Sequence, residues 1–228
     1  MSAKIDRLFS RIHKRYDIMN SVMSVGLDRI WRKDAAAEIA SIGKNCKILD
    51  VACGTGEFSI TITKAMDKIG HKAFIDGIDL NKKMLSIGTK KISGRYTNIK
   101  LGVGDATKMR KPSSNYDVVT TAFAMRDFDS LERFAAESYR VLRKGGKIVA
   151  LDMAEPDTKF QRGFFAVYSK LMVFEGSLVD RNAYEFLVQS IHRFDKKRLV
   201  SILKKAGYKN VRIRNLATGV AFIATGKK

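Results

Sequence analysis

The sequence predicts a doubly wound α/β fold, with a mostly parallel sheet covered by helices on both faces. From residue 47 to residue 152, short β-branched or apolar runs alternate with amphipathic helical patterns. Such alternation gives parallel strands joined by right-handed crossovers. Near the end of the chain two apolar runs follow one another, NVRIRNL and GVAFIAT, and predict a closing antiparallel pair with one antiparallel C-terminal strand. At 228 residues the chain fits a single domain of this kind.

The elements can be assigned in chain order. Before the sheet, apolar residues recur twice at helical spacing, first at Ile5, Leu8, Phe9, Ile12 and Tyr16, then at Leu27, Ile30, Trp31, Ala35 and Ile39. Strands are predicted at residues 47–52, 73–79, 99–103, 116–122 and 147–152, with helices at 57–67, 82–92 and 130–142. An aromatic-rich helical stretch, FQRGFFAVYSKLMVF, follows Pro156, and a helix at 196–206 stops at Gly207. The parts are therefore an N-terminal helical layer (1–43), a sheet half (44–155) and a C-terminal part of helices and closing strands (156–228).

Composition and charge narrow the class of protein. The chain has 43 Lys and Arg against 23 Asp and Glu, a net charge of +20. Such a charge attracts polyanions or anionic membranes, but a lysine-rich solvated surface explains it equally well.

The basic start lacks the apolar block of a signal peptide, and no uncharged run approaches the roughly 20 residues of a membrane span. Cys46 and Cys53 are too close to staple a fold, and the histidines lack ligand spacing. We therefore expect a cytoplasmic protein without a metal site.

The first predicted strand leads into a glycine-rich turn. It ends in LDVACGTGEFS, so Gly54 and Gly56 stand where the chain must turn sharply into a helix. Glycine permits such a turn and lets the backbone approach a ligand closely. The spacing is not the full G-x-G-x-x-G of a dinucleotide site, because Ser59 occupies the third glycine position. The turn therefore predicts a ligand site and argues against NAD as its cofactor.

Acidic residues follow the next two strands. Asp79 is placed to accept hydrogen bonds from two ribose hydroxyls, and Asp105 to accept one from an adenine amino group. The backbone N–H of Ala106 would donate to an adenine ring nitrogen. Loops at the carboxyl ends of adjacent strands converge on one crevice, so these groups can share a ligand. Simpler explanations exist: Asp50 and Asp79 could cap helices, and Thr55 could satisfy the turn backbone.

Longer motifs carry a family resemblance. The segments LDVACGTGE, GIDLNKKML, GDAT and YRVLRKGGKIVALD resemble, in order, class I S-adenosylmethionine methyltransferases. RYDIMNSVMSVGLDRIWR and FAMRDF resemble signatures of the ubiquinone/menaquinone biosynthesis C-methyltransferases. YEFLVQSIHRF and KKAGYKNVRIRNLATGVAFIATG resemble the closing signatures of the same family. The resemblance runs from about Phe9 onward and implies a Rossmann-like sheet under an N-terminal helical lid.

The resemblance also implies a cofactor and site residues. S-adenosylmethionine would be bound at Asp50, Gly54, Thr55, Gly56, Asp79, Leu80, Asp105, Ala106 and Ala122. Arg126 would lie on the substrate side and stabilise a phenolate or hold a proton-accepting water, although a salt bridge to Asp127 or Asp129 would also account for it. Tyr16 would belong to the lid over the site. This chain departs from the family pattern at Ala124, usually Gly, at Asp127, usually Asn, and in the segment DMAEP.

The implied reaction is C-methylation of a reduced polyprenyl quinone precursor, demethylmenaquinol or its ubiquinone-pathway equivalent. A lipid quinol needs an apolar passage, and a stripe at helical spacing would provide one, at Phe164, Val167, Tyr168, Leu171 and Phe174. Core packing under a lid explains the same stripe. The basic surface would favour peripheral association with the anionic inner face of the membrane.

Three other functions remain open. An RNA methyltransferase suits the charge of +20, but no N-P-P-Y-like or paired catalytic-cysteine motif occurs, so nucleic acid is not the expected partner. A small-molecule methyltransferase of another pathway would have the same cofactor half. A cofactor-binding protein without catalytic activity is the third alternative, because a fold does not guarantee an activity. The oligomeric state is open as well, with a homodimer among the alternatives.

Overall fold

The computed structural model describes residues 24, 26–163, 165–167, 169, 188–216 and 219–228. Within them one seven-stranded sheet is built from β1 (Asn45–Val51), β2 (Lys72–Asp79), β3 (Ile99–Val103), β4 (Tyr116–Ala122), β5 (Leu142–Met153), β6 (Lys209–Asn215) and β7 (Ala221–Lys227). The strand order is β3-β2-β1-β4-β5-β7-β6. All pairings are parallel except those of β7, which runs antiparallel to β5 and β6. The predicted fold class, with its single antiparallel C-terminal strand, is confirmed.

Helices connect the strands. They are α1 (Leu27–Ala40), α2 (Glu57–Lys68), α3 (Lys82–Ile92), α4 (Leu131–Val141) and α5 (Lys196–Lys205), with a 3-10 turn at Met125–Asp127. Three of them begin at a polar N-cap whose side chain accepts backbone N–H bonds, namely Asn81, Ser130 and Asp195. The helix α2 instead begins after Gly56 and has no side-chain cap.

The central strands of the sheet are buried on both faces, as is usual in parallel sheets. Neighbouring residues of β1 point into different clusters: Ile48 packs with α1 and α2, whereas Leu49 packs with α4 and α5. Both side chains are completely buried. This two-sided packing holds the carboxyl ends of the central strands in place and leaves the loops that follow them to form a site.

Most boundaries agree with the prediction to within two residues, and the largest difference is at the start of β5. The strand β5 begins at Leu142 instead of residue 147, and α4 therefore ends at Val141. Leu142 pairs with Tyr116, and the register then shifts between Tyr116 and Val118. The strand therefore extends back beyond the Lys-Gly-Gly segment, which does not look like part of a strand in the sequence. On α1, Ile30 is 53% exposed and does not belong to the buried stripe.

Several predictions concern residues that lie outside the described ranges or next to them. The first predicted helix, with Tyr16, lies outside the described residues, as do the side chains of Phe164, Tyr168, Leu171 and Phe174. Val167 is described and is 71% exposed, whereas its neighbour Phe165 is buried. Among the described helices, none has the length and apolar character needed to cross a membrane.

Candidate functional site

The loops after β1, β2, β3 and β4 meet in one crevice at the carboxyl ends of the strands. Its larger part is an open cleft, the kind of concave surface in which small molecules bind. Asp50, Gly54, Thr55, Asp79 and Ala122 line this part, and Asp79, Leu80, Asp105 and Ala106 line an adjoining part. Ala52, Asp79 and Phe128 are shared by both. The structure thus brings together the predicted cofactor residues, with Gly56 next to the crevice at the start of α2.

The turn from β1 into α2 requires left-handed backbone. Gly54 has φ of +54° and Gly56 has φ of +77°, conformations that glycine adopts without steric cost. Ala52 takes φ of +56° although it has a Cβ atom. Phe123, after β4, likewise takes φ of +61°. Both non-glycine residues line the crevice, and such strained conformations are concentrated at functional sites.

Asp79 joins the two loops that flank it. Its Oδ2 accepts a hydrogen bond from the Gly54 N–H at 2.8 Å, and its Oδ1 accepts one from the Asn81 N–H at 2.7 Å. The helix cap that the sequence allowed for Asp79 is provided instead by Asn81, which accepts from Lys83 and Met84. A carboxylate at the end of a strand is the kind of acceptor that ribose hydroxyls require.

Asp50 is buried at the end of β1 beneath the crevice. Its Oδ2 accepts a hydrogen bond from Ser59 Oγ at 2.6 Å, and it does not cap a helix. Its Oδ1 has no hydrogen-bond partner among the described residues. Burial, assisted by the negative charge of Asp79, raises the pKa of Asp50 to about 7 despite the bond from Ser59. A cationic group placed here would therefore be stabilised by a carboxylate that has little other compensation.

The loop after β3 holds Asp105 at the edge of the crevice. Burial acts to raise the pKa of Asp105, but hydrogen bonds from the Thr107 N–H at 2.7 Å and hydroxyl at 2.8 Å outweigh it and lower the pKa. Asp105 is thus an ionised acceptor. Ala106 is buried beside it, and Leu80 is 40% exposed on the opposite side of this part.

Thr55 and Cys53 complete the glycine-rich turn. Lys91 from α3 donates to Thr55 Oγ1 at 3.2 Å and to Glu57 Oε1 at 2.6 Å, which fixes α3 against the turn. Cys53 is buried, and burial next to Asp50 raises the pKa of its thiol. Burial therefore disfavours the thiolate, which is the nucleophilic form of a cysteine.

Helix α1 forms part of the wall of the crevice, which the sequence did not predict. Arg32 lines the crevice and lies over the Phe123 ring, 5.0 Å from its centroid, while forming an ion pair with Asp28. Trp31 packs against Phe123 with ring centroids 6.3 Å apart. The apolar spacing of α1 predicts a buried helix, but nothing in the local sequence indicates that Arg32 lines the crevice.

The 3-10 turn after β4 places the neighbouring charged side chains of Arg126 and Asp127 in different surroundings. Arg126 Nε donates to Asp152 Oδ1 at 2.6 Å, and Arg126 Nη1 donates to Ser190 Oγ at 2.9 Å. Arg126 thus forms an ion pair with Asp152 at the end of β5, a partner that the sequence did not indicate. Arg126 lines a depression beside α4, whereas Asp127 and Ala124 line the crevice. Any catalytic role of Arg126 stays a prediction.

Comparison with known proteins agrees with this geometry. The model of the ubiE/COQ5 methyltransferase family matches residues 1–228. Demethylmenaquinone methyltransferase of Staphylococcus aureus strain JH9 is 33% identical over 99% of this chain and 93% of its own length. An S-adenosylmethionine-dependent methyltransferase from Aquifex aeolicus has a similar fold, with a TM-score of 0.65, 14% identity and coverage of 92% of this chain and 97% of its own.

A further solved structure contains the cofactor. Phosphoethanolamine N-methyltransferase 2 of Haemonchus contortus, in complex with S-adenosylmethionine, has a TM-score of 0.59 and 16% identity and covers 80% of this chain and 38% of its own. The structural likenesses show the fold, and the family match covers the whole chain. The protein is therefore an S-adenosylmethionine-dependent methyltransferase that belongs to the ubiE/COQ5 methyltransferase family.

Proposed function

We propose that this enzyme methylates a ring carbon of a reduced polyprenyl quinone precursor, with demethylmenaquinol as its substrate. The observation that carries the proposal is the 33% identity to a demethylmenaquinone methyltransferase over nearly the full length of both chains. The crevice supports it, because Phe58, Phe123 and Phe128 present apolar walls suited to an aromatic ring. S-adenosylmethionine supplies the methyl group as an electrophilic sulfonium when it is bound.

The adenosine half of the cofactor fits the acceptors on β2 and β3. We assign the ribose hydroxyls to Asp79 and the adenine amino group to Asp105, with the Ala106 N–H donating to the ring and Leu80 contacting it. The chemistry of this donor and acceptor set matches adenosine, and Asp79 and Asp105 line the same part of the crevice.

The methionine half fits the turn after β1. Asp50 Oδ1, which has no hydrogen-bond partner among the described residues, is suited to a cationic ammonium group, and such a cation would lower the pKa of this carboxyl. Gly54, Thr55 and Gly56 surround the uncapped start of α2, where backbone N–H groups favour a carboxylate. Ala122, at the end of β4, borders the position of the methyl group.

In this proposal Arg126 supports the substrate side. Its guanidinium stays protonated and cannot act as a base, but it stabilises negative charge on nearby groups. The Arg126 charge acts to lower the pKa of the adjacent Asp127 carboxyl, against the effect of burial. Tyr16 is assigned to the lid and lies outside the described residues.

The reaction can be tested by mass spectrometry. Purified protein, S-adenosylmethionine and chemically reduced, short-tailed demethylmenaquinone are expected to yield a naphthoquinol that has gained one methyl group. Demethoxy-type benzoquinols and bulk RNA, assayed in parallel, serve as competing acceptors. Methylated RNA with unchanged quinols would overturn the proposal and favour a polyanionic substrate, in line with the charge of +20.

Association with an anionic membrane is proposed from an exposed segment. Phe160 is 88% exposed and lies between the exposed cations Lys159 and Arg162, an arrangement that favours an anionic interface. Vesicles rich in anionic lipid should retain the protein at low salt and release it at high salt. Phe160→Ser should weaken retention, whereas Ile69→Ser, which removes another half-exposed apolar side chain, should not. Equal retention on zwitterionic vesicles, or none at low salt, would contradict the proposal.

A further inference from the structure

Asp127 lines the larger part of the crevice, at the carboxyl end of β4. It follows β4 on the 3-10 turn and lines the crevice together with Phe123 and Ala124. Its backbone N–H donates to the Ala124 carbonyl at 3.0 Å, which fixes the turn that carries it. The residues assigned to the adenosine half are Asp79 at the end of β2 and Asp105 in the loop after β3, and both strands lie across β1 from β4. Asp127 is thus on the side of the crevice away from the adenine position.

The buried negative charge of the Asp127 carboxylate is poorly compensated by hydrogen-bond donors among the described residues. Its Oδ1 is buried and has no hydrogen-bond partner among the residues that the structure describes. Arg126, which precedes Asp127 in the chain, directs its Nε and Nη1 to Asp152 and Ser190. A buried carboxylate oxygen without a donor is costly, and such an atom commonly marks a ligand or a catalytic role. A hydroxyl group of a bound substrate would provide the missing donor.

We propose that the Asp127 carboxylate accepts the proton of the substrate hydroxyl and is therefore a catalytic residue of this enzyme. The proposal rests on the quinol methylation proposed above. A ring carbon becomes a strong nucleophile only when the hydroxyl ortho to it is ionised, and a base within reach of that hydroxyl accelerates the step. Among the described residues lining the crevice, Asp127 combines a position beside β4 with an oxygen that lacks a donor.

The step conserves atoms and charge. The hydroxyl O–H bond breaks as its proton moves to Asp127, and the electron pair stays on the substrate oxygen. The ortho ring carbon forms a bond to the methyl carbon, the carbon–sulfur bond breaks, and a neutral thioether leaves. The same ring carbon then loses its hydrogen as a proton to water, while Asp127 returns its proton to the substrate oxygen. One proton is released for each methyl group transferred.

The electrostatic surroundings suit a base at neutral pH. Burial raises the pKa of Asp127 to about 6, with Arg126 opposing and Asp152 adding to the increase. The described charged groups that share its crevice are Arg32, Asp50, Glu57 and Asp79. A base is most effective when its pKa lies near the working pH, because it is then both ionised and strongly basic.

The test compares Asp127→Asn with the wild type between pH 5 and pH 9, assayed on the reduced short-tailed demethylmenaquinone. Wild-type kcat is expected to fall as the pH drops below about 6, because protonated Asp127 cannot accept a proton. In Asp127→Asn, which installs the residue usual in the family at this position, this acidic limb should disappear, and kcat at pH 7 should fall because the carboxylate base is lost. Affinity for S-adenosylhomocysteine, measured by calorimetry, should stay within about twofold. Asp67→Asn removes an exposed carboxylate at the far end of α2 and should retain both kcat and the limb.

A readout independent of turnover is NMR of protein with labelled aspartate carboxyl carbons. A carboxyl signal that titrates near pH 6 should be present in the wild type and absent from Asp127→Asn. Should that variant unfold, Asp127→Ser provides the same comparison. If the wild type methylates the quinol and a folded variant keeps wild-type kcat and the acidic limb, the role of Asp127 is overturned. If the wild type methylates no quinol, the proposed function itself fails.

Discussion

Replacing Arg126 by methionine is expected to lower the free energy of unfolding by about 3–5 kcal/mol, the usual cost of removing one partner of a buried ion pair. The Arg126 and Asp152 side chains are 3% and 0% exposed, so the substitution leaves an unpaired carboxylate in the interior. The midpoint of thermal unfolding should fall by about 10 °C in a chain of this size. Calorimetry of the purified variant measures both quantities.

Two further variants separate stability from turnover. Arg126→Met combined with Asp152→Leu removes both charges and should recover most of the stability, because a well-packed apolar pair can replace a buried ion pair. If Arg126 supports the substrate side, the double variant should stay inactive while binding S-adenosylhomocysteine normally; recovered turnover would limit Arg126 to a structural role. Arg198→Met breaks an ion pair whose side chains are 65% and 56% exposed and should cost less than about 1 kcal/mol. A loss in Arg126→Met no greater than this control would contradict the prediction.

Replacing Asp79 by asparagine is expected to weaken S-adenosylhomocysteine binding by at least about 10²-fold. Hydrogen bonds to a charged acceptor contribute about 1.5–3 kcal/mol each, and a factor of ten in affinity corresponds to about 1.4 kcal/mol. The ribose would lose such acceptors, and an amide group would also present a donor toward the N–H of Gly54 or Asn81. Isothermal titration calorimetry measures the change in Kd directly.

The matched control for Asp79 is Asp76→Asn on the same strand. Asp76 accepts a hydrogen bond from the Tyr116 hydroxyl at 2.6 Å and does not line the crevice. This variant should bind S-adenosylhomocysteine as the wild type does. Unchanged affinity in Asp79→Asn, with the fold intact by circular dichroism, would remove Asp79 from the ribose site.

Much of the fold could be predicted because its signals are local. Each strand–helix unit carries its own change from short apolar runs to helical spacing, and the right-handed crossover then determines where the next strand lies. The cofactor residues were equally accessible. Gly54, Asp79 and Asp105 each follow a strand directly, and carboxyl ends of parallel strands meet at one edge of a sheet. The start of β5 was missed because its first pairing, Leu142 with Tyr116, depends on a neighbouring strand.

The sequence by itself therefore determined the fold class and the edge of the sheet where the crevice lies. Only the tertiary structure decided which charges face that edge. It paired Arg126 with Asp152, 26 residues away, and placed Arg32 of α1 over Phe123. It also left Asp127 in the crevice with a buried, unpartnered oxygen. The reason is physical: residues adjacent in a tight turn point to different sides, and which side is buried depends on packing against elements distant in the chain.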